Sequence, residues 1–154
     1  MCIRDRRAVA QRVTEARVRV AGEVVGEISK GLVVFLGVGA GDDEAAAVFM
    51  ADKIVGMRVF EDAAGKMSLD VSTVGGAVLL VSQFTLYGDM RRGRRPSFDR
   101  AMEPVTAEAL YRRVGELIRA RGVVVETGVF RAEMLVESVN EGPVTILVDS
   151  AREF

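Results

Sequence analysis

The chain has 154 residues, of which 49% are hydrophobic and 28% charged, and its formal net charge is -1. It contains no histidine and a single cysteine, Cys2. A Ser-His-Asp triad, a Cys-His dyad, a zinc site with histidine or with four cysteines, and an internal disulfide are therefore excluded. Any catalysis must use hydroxyl groups, carboxylates, lysine, arginine, backbone amides or groups of the substrate.

The length indicates one domain, since domains commonly contain ~100–200 residues. The first residues lack the apolar segment of a secretory signal, and no apolar run approaches the ~18 residues that a membrane span requires. We therefore expect a cytoplasmic protein with no membrane partner. We expect a disordered or artefactual extension at residues 1–6, the folded domain at 7–150 and a tail at 151–154.

The predicted elements alternate between strands and two helices. Apolar alternation and continuous apolar runs predict strands, and apolar residues at helical spacing predict helices. In chain order we predict strands at 8–20, 24–28 and 32–38, a helix from Asp42 or Asp43 to about 55, a short strand at 58–61, a strand at 77–82 that runs on to 89, a helix at 105–121, and strands at 123–126, 133–139 and 144–148. This order predicts an α+β fold, with helices covering a mostly antiparallel or mixed sheet.

A first candidate site is Ser82-Gln83-Phe84-Thr85, where an apolar strand gives way to hydroxyl and amide groups. Strand alternation would point Ser82 and Phe84 to one side, and Gln83 and Thr85 to the other. Backbone amides just beyond a strand end can bind a developing oxyanion. The alternative is an ordinary strand end with polar residues. A nucleophilic hydroxyl here would need lysine, aspartate or glutamate as its base.

A second candidate is the segment Asn140–Thr145, which contains Gly142-Pro143. Gly-Pro normally marks a turn, so we predict a turn between two strands. A bond that precedes proline is also the main place for a cis peptide, and the sequence leaves the isomer open.

A third candidate is the loop Asp89–Ser97, whose arginines suit contacts with phosphate groups because arginine binds phosphate in a bidentate way. The arginines of this loop are Arg91, Arg92, Arg94 and Arg95. The alternative is a solvated loop.

We expect no metal and no cofactor, since Asp42-Asp43 suits a helix cap better than a metal site.

These segments together resemble the D-aminoacyl-tRNA deacylase (D-tyrosyl-tRNA deacylase) family. Ser82–Tyr87 and Asn140–Thr145 are similar to its two signature motifs, and the resemblance extends from about residue 7 to residue 150. It implies a homodimeric esterase with a barrel-like sheet and two helices, which hydrolyses D-aminoacyl-tRNA and glycine mischarged on tRNA. L-aminoacyl-tRNA would be spared, and the nucleic-acid partner would be tRNA and not DNA.

The resemblance also implies roles for individual residues. Ser82–Thr85 would line the pocket for the tRNA 3′ end, where the amides around Gln83 and Phe84 hold the aminoacyl carbonyl. The terminal ribose 2′-OH and a water would carry out the chemistry, although Thr85 is an alternative nucleophile.

The stereochemical filter implied by the resemblance is Gly142-Pro143, as a cis pair that enters the pocket of the partner subunit. Its carbonyls would hold the substrate amino group and exclude L side chains. Arg12 would fix the orientation of this loop, and Met134 would line the pocket. The sequence departs from the family at Arg131, where a small residue is usual, which puts in doubt the loop geometry near Met134.

Two alternatives remain open at this stage. The chain could be a non-catalytic, dimeric RNA-binding module that uses the arginine loop, or a hydrolase with a Ser or Thr nucleophile and a lysine or carboxylate base. The intact polar segment Ser82–Thr85 favours an enzyme over a simple binding module.

Overall fold

The computed structural model describes residues 6–151 and confirms the α+β class. The elements are β1 (Arg6–Val20), β2 (Glu23–Ile28), β3 (Gly31–Val38), α1 (Glu44–Gly56), β4 (Phe60–Glu61), β5 (Met67–Leu69), β6 (Ala77–Ser82), a 3₁₀ helix (Phe84–Tyr87), α2 (Pro104–Ala120), β7 (Val124–Thr127) and β8 (Leu135–Asp149). Within the described residues, neither helix has the length and apolarity of a membrane span.

One mixed sheet forms the body of the domain. β1 pairs antiparallel with β2, β3 and β8, while β3, β6 and β7 run parallel to one another. The sheet is barrel-like and nearly closed, because β2 curls back against β7. Gly26 lies so close to the carbonyl oxygen of Thr127 that a Cβ atom would not fit between them. β4 and β5 form a separate two-stranded pair.

Apolar side chains are buried on both faces of the central strands. In β3, Leu32, Val34 and Leu36 pack into the larger core beneath α1 and α2, whereas Val33 packs into a smaller core on the opposite face. This explains why the run 32–38 is continuously apolar: alternation is expected only where one face of a strand meets water. The prediction of a buried central strand is confirmed.

Local sequence signals set the turns and the helix ends. Ala21 and Gly22 have φ of 51° and 81°, so both central residues of the first hairpin are left-handed, as in a type I′ turn. The Asp43 carboxylate accepts a hydrogen bond from the Ala46 amide at 3.0 Å and caps α1. Gly122, with φ of 82°, follows the end of α2.

The structure corrects two predicted elements. The strand from residue 77 does not continue to 89, because the chain turns into the 3₁₀ helix after Ser82. The predicted alternation of Ser82 to Thr85 is therefore wrong. Asn140–Thr145 is not a turn between two strands: β8 is continuous from Leu135 to Asp149, and the segment is a bulge within it.

The predicted extension, residues 1–6, lies outside the described residues except for Arg6. Arg6 begins β1 and is fully buried, and its Nε donates to Asp42 Oδ2 at 2.6 Å. The folded region therefore includes at least this residue of the predicted extension. Of the predicted tail, only Ala151 is described.

Candidate active site

A cavity of about 750 Å³ opens at the carboxyl ends of the parallel strands. Ligand sites commonly lie at this edge of a parallel sheet, because the loops that leave the strands surround a crevice there. The walls come from β3, from the end of β6 with the 3₁₀ helix, from the start of α2, and from the loop before β8. The lining residues are Phe35, Leu36, Val38, Val81, Ser82, Gln83, Phe84, Thr85, Ala101, Met102, Pro104, Ala107, Tyr111, Phe130, Arg131, Ala132, Met134 and Val136.

The backbone after β6 leaves two amides unused beside this cavity. The Gln83 amide donates to the Leu36 carbonyl at 2.8 Å and so extends the pairing between β6 and β3. The amides of Phe84 and Thr85, at the start of the 3₁₀ helix, donate to no group in the described part of the chain. The amides of this segment that remain for a substrate carbonyl are therefore those of Phe84 and Thr85. Of the two residues that the resemblance implied, Gln83 and Phe84, only Phe84 has an unused amide.

The side chains of this segment are also held in place. Gln83 Nε2 donates to Thr85 Oγ1 at 3.0 Å. Phe84 is 59% exposed, and its ring packs against that of Phe98 in an edge-to-face arrangement, with 5.1 Å between the ring centroids. This contact joins the cavity wall to the end of the arginine loop, since Phe98 follows Ser97 directly.

No group among the described residues that line the cavity is suited to act as a general base. Among the described residues that line it, none carries a carboxylate or an amine. The Tyr111 hydroxyl donates to the Leu80 carbonyl at 2.6 Å, and burial raises the pKa of Tyr111 above its ordinary value. This hydroxyl stays protonated at neutral pH. A Ser or Thr nucleophile activated by lysine or by a carboxylate therefore has no support in this site.

The Gly142-Pro143 segment is a bulge on the exposed side of β8. Thr145 pairs with Gln11, and Asn140 pairs with Val13, so four residues of β8 stand opposite Arg12 alone. The extra residues leave the ladder, and both Gly142 and Pro143 are exposed. The Gly142-Pro143 peptide bond is cis.

Arg12 ties this bulge to the body of the domain. Its buried side chain donates from Nε to the Glu141 carbonyl at 3.1 Å and from Nη1 to the Val59 carbonyl at 2.8 Å. Gly142 has φ of 128°, and a Cβ atom there would lie 3.0 Å from the Val144 amide nitrogen. The position accepts glycine for both conformational and steric reasons.

Met134 lies in the wall of the cavity, on the segment that leads into β8. Its sulfur packs over Gly128, where an added Cβ atom would be only 2.6 Å away. Arg131 precedes it in the same loop and adopts φ of 66°, which is unusual for a residue with a side chain.

The four arginines of the loop differ in their surroundings. Backbone bonds between Asp89 and Ser97 close the loop, at 2.8 and 3.0 Å. The Asp89 carboxylate accepts from the backbone amide and guanidinium of Arg91, which holds the pKa of Asp89 well below its ordinary value. Arg91 thus belongs to the frame of the loop, whereas the remaining three arginines are exposed: Arg92, Arg94 and Arg95.

The structure brings together only part of the site predicted from the sequence. Ser82–Thr85 and Met134 share the cavity, while Arg12, Gly142 and Pro143 meet one another at the bulge, away from that cavity. The sequence did not point to the remaining wall residues, such as Tyr111. It is a polar aromatic residue on the apolar side of a helix, a pattern that also fits ordinary packing.

Comparison with known proteins gives a consistent result. A family model described as D-Tyr-tRNA(Tyr) deacylase matches residues 9–149 of this chain. A protein of Symbiobacterium thermophilum named D-aminoacyl-tRNA deacylase is 63% identical over 148 residues, which is 96% of this chain and 98% of that protein. A protein of Sorangium cellulosum with the same name is 60% identical over 149 residues, which is 96% of this chain and 99% of that protein.

Solved structures share the fold. One described as c-Myc DNA Unwinding Element Binding Protein matches with a TM-score of 0.89 and 40% identity, over 94% of this chain and 98% of that chain. Another, described as a probable eukaryotic D-amino acid tRNA deacylase, matches with a TM-score of 0.82 over 94% of this chain and 99% of that chain. At 19% identity, this second match is a likeness of fold alone.

Proposed function

This chain belongs to the D-aminoacyl-tRNA deacylase family, and from that premise we propose how its own residues carry out the reaction. It is a hydrolase that acts on D-aminoacyl-tRNA, in the proofreading of translation. Hydrolysis of the ester releases the free D-amino acid and tRNA. Because its substrate is used by the translation machinery, we expect the enzyme to act in the cytoplasm.

The observation that carries the proposal is a cavity with two unused backbone amides and no protein base among its described lining residues. The Phe84 and Thr85 amides would hold the ester carbonyl and stabilise the oxyanion that develops on it. With no carboxylate or amine at hand, the proton transfers fall to the substrate. The 2′-OH of the terminal ribose would assist a water that attacks the ester carbon.

We infer that the Gly142-Pro143 bulge acts in the cavity of a second copy of this chain. Arg12, beside the bulge, pairs with Leu32 of β3, whereas Ser82 of the cavity pairs with Leu36. Four residues along a strand correspond to ~13 Å, so the bulge is remote from the cavity of its own chain.

The outer edge of β8 supports this dimer. Among the described residues β8 pairs only with β1, and its outward side chains include Leu135 and Leu147, which are 68% and 55% exposed. A long apolar edge strand is a template for association with another chain. In the dimer, backbone carbonyls of the bulge would hold the substrate amino group, leaving no room for an L side chain. Glycine has no side chain to reject, so glycyl-tRNA would also be a substrate.

The test of the function compares the two enantiomers. We expect the purified protein to release D-tyrosine from D-tyrosyl-tRNA and to spare L-tyrosyl-tRNA under the same conditions. Glycyl-tRNA should be hydrolysed as well. Equal rates on the two tyrosyl-tRNAs would contradict the stereochemical filter. Binding of tRNA without hydrolysis of any of the three substrates would instead favour the non-catalytic RNA-binding module.

The test of the shared site mixes two variants, each of which we expect to be inactive by itself. Gly142→Ala disturbs the bulge and leaves the cavity intact, whereas Ala132→Trp fills the mouth of the cavity and leaves the bulge intact. Co-refolded at equal amounts, random pairing should restore roughly one quarter of the wild-type sites, because each mixed dimer has one intact cavity facing one intact bulge. No recovery in dimers that demonstrably mix would mean that the bulge serves its own chain.

The arginine loop would contact the phosphate backbone of tRNA through its exposed members. Replacing Arg92, Arg94 and Arg95 by glutamine should lower the slope of log affinity against log salt by about 2, as expected for three contacts with a single strand. Arg91→Gln should leave that slope nearly unchanged, because Arg91 is bound to Asp89.

A further inference from the structure

Arg131 occupies a backbone position that favours glycine. The Ala132 amide donates to the Val129 carbonyl at 3.2 Å, which closes a β-turn with Arg131 as its third residue. With φ of 66°, Arg131 has the left-handed conformation that type II turns require at this place. A side chain makes that conformation unfavourable. The turn therefore accepts arginine at a cost in stability.

The same residue brings a positive charge to the wall of the cavity. Arg131 is the only charged residue among the described residues that line it. It is exposed, and its side chain forms no ion pair or hydrogen bond within the described part of the chain. A cation without a partner beside a mostly apolar cavity attracts an anion more strongly than it would in bulk water.

We propose that Arg131 is a substrate-binding residue that holds a phosphate of the tRNA 3′ end while the ester occupies the cavity. The proposal rests on the proposed function. A phosphodiester of the terminal nucleotides is the anion that every aminoacyl-tRNA carries near its ester, and arginine suits it through bidentate hydrogen bonds. The α-ammonium group of the substrate is a cation and would be repelled.

The position of Arg131 favours the RNA backbone over the reacting ester. The unused amides of Phe84 and Thr85 are on the strand side of the cavity, whereas Arg131 is in the loop before β8 and is exposed to solvent. The aminoacyl group has to enter the cavity, and the RNA chain has to leave it through the mouth. A solvent-exposed cation in the wall therefore meets the backbone of the nucleic acid.

The experiment compares two substrates with the same ester. D-Tyrosyl-tRNA carries the phosphates, and 3′-O-(D-tyrosyl)adenosine carries none. The variants are Arg131→Gly, Arg131→Lys and, as a matched control, Arg121→Gln, which removes an exposed arginine outside the cavity. We expect Arg131→Gly to lower kcat/KM for D-tyrosyl-tRNA about tenfold, mainly through KM, as for the loss of one charged hydrogen-bonding group. Its activity on D-tyrosyl-adenosine should be unchanged.

The salt dependence supplies a second readout. For D-tyrosyl-tRNA, the slope of log(kcat/KM) against log salt should fall by about 0.7 in Arg131→Gly, which corresponds to one phosphate contact on a single strand. Arg131→Lys should retain this slope with part of the activity. Arg121→Gln should behave as the wild type on both substrates.

Other outcomes would overturn the proposal. An equal loss on both substrates would place Arg131 at the ester. D-Aspartyl-tRNA is tested as a third substrate, and a loss confined to it would assign Arg131 to the acidic side chain of the amino acid. No loss on any substrate would leave Arg131 without a binding role. If the wild type hydrolyses neither D-tyrosyl substrate, the proposed function itself fails. A measurement of Tm controls for misfolding. We expect the Tm of Arg131→Gly to rise, because glycine accepts the positive φ, and each kcal/mol added to the free energy of unfolding corresponds to roughly 2–4 °C.

Discussion

The cavity and the Gly142-Pro143 bulge are built in opposite ways. The cavity is concave and lies where the parallel strands β3 and β6 end, and its wall contains the unused backbone amides of Phe84 and Thr85 together with the Arg131 guanidinium. The bulge is convex and lies within an antiparallel pair, where four residues of β8 face one residue of β1. One feature can surround a ligand, and the other can be inserted into a recess. Under the dimer proposed above, a single chain carries two complementary parts of one site, the cavity and the bulge, and a second copy is needed to bring them together.

The largest expected effect comes from releasing the bulge. Arg12→Gln removes the donors to the Glu141 and Val59 carbonyls, so the bulge loses its fixed position. We expect kcat/KM for D-tyrosyl-tRNA to fall about 100-fold, as is typical when a positioning group shifts by about 1 Å. The measurement is steady-state deacylation, with release of L-tyrosine followed in parallel.

The control for this variant separates activity from folding. The free energy of unfolding of Arg12→Gln should fall by about 3 kcal/mol, because a charged donor to two carbonyls is lost. Arg12→Lys keeps the charge and should retain more of both properties. Full activity of Arg12→Gln would mean that the position of the bulge does not matter for the reaction.

An intermediate loss of activity is expected when dimer formation is prevented, because the bulge of one copy then no longer reaches the cavity of the other. Leu147→Asp places a charge on the outer side of β8, where a second copy would pack. We expect monomers by analytical ultracentrifugation and a loss of activity that recovers as protein concentration rises. Val105→Asp is the matched control, because Val105 is also an exposed apolar residue but lies on α2. A fully active monomer would contradict a shared site.

The smallest change in activity is expected for Thr85→Ala, a substitution in the cavity wall. Thr85→Ala removes the hydroxyl that accepts from Gln83 but leaves the backbone amide of residue 85 in place. We expect kcat for D-tyrosyl-tRNA to change by less than about threefold, whereas loss of a covalent nucleophile lowers kcat by roughly 10⁴-fold or more. Single-turnover deacylation distinguishes the two cases, and an inactive Thr85→Ala would restore the nucleophile hypothesis.

The sequence predicts those elements that depend on interactions between neighbouring residues. The hairpin at Ala21-Gly22, the cap of α1 at Asp43 and the stop after α2 at Gly122 each depend on one or two residues and their immediate neighbours. The continuous apolar run in β3 was also informative, because burial on both faces removes the alternation.

Pairing between residues far apart in the sequence determines two features that local sequence patterns do not predict: the end of β6 and the bulge in β8. Gln83, Phe84 and Thr85 fit a strand as well as a 3₁₀ helix. Among the described residues, the hydrogen bond from the Gln83 amide to the Leu36 carbonyl is the last backbone hydrogen bond of this segment to β3, and the 3₁₀ helix begins after it. The Gly142-Pro143 segment resembles a turn locally. It is a bulge because Gln11 and Val13 hold the flanking residues in one ladder.

The candidate site was predictable only where one short segment supplies it. Ser82–Thr85 was found because its residue types change abruptly after an apolar strand. Tyr111 and Phe130 reach the same cavity from α2 and from the loop after β7, and no local pattern marks them. Arg131 departs from the family in the sequence itself, but only the structure shows that its charge lies in the cavity wall without a partner among the described residues.

The lack of a carboxylate or an amine among the described lining residues has a consequence for how the rate responds to acidity. An enzyme with its own acid and base shows a bell-shaped profile, whose limbs report the pKa values of these groups. Here the ionisable partner would be the α-ammonium group of the substrate. The profile should therefore move when the amino acid is changed, and stay in place when residues of the cavity are changed. The pH range in which such an enzyme works would be set by the pKa of the substrate amino group, and not by the pKa of a protein side chain.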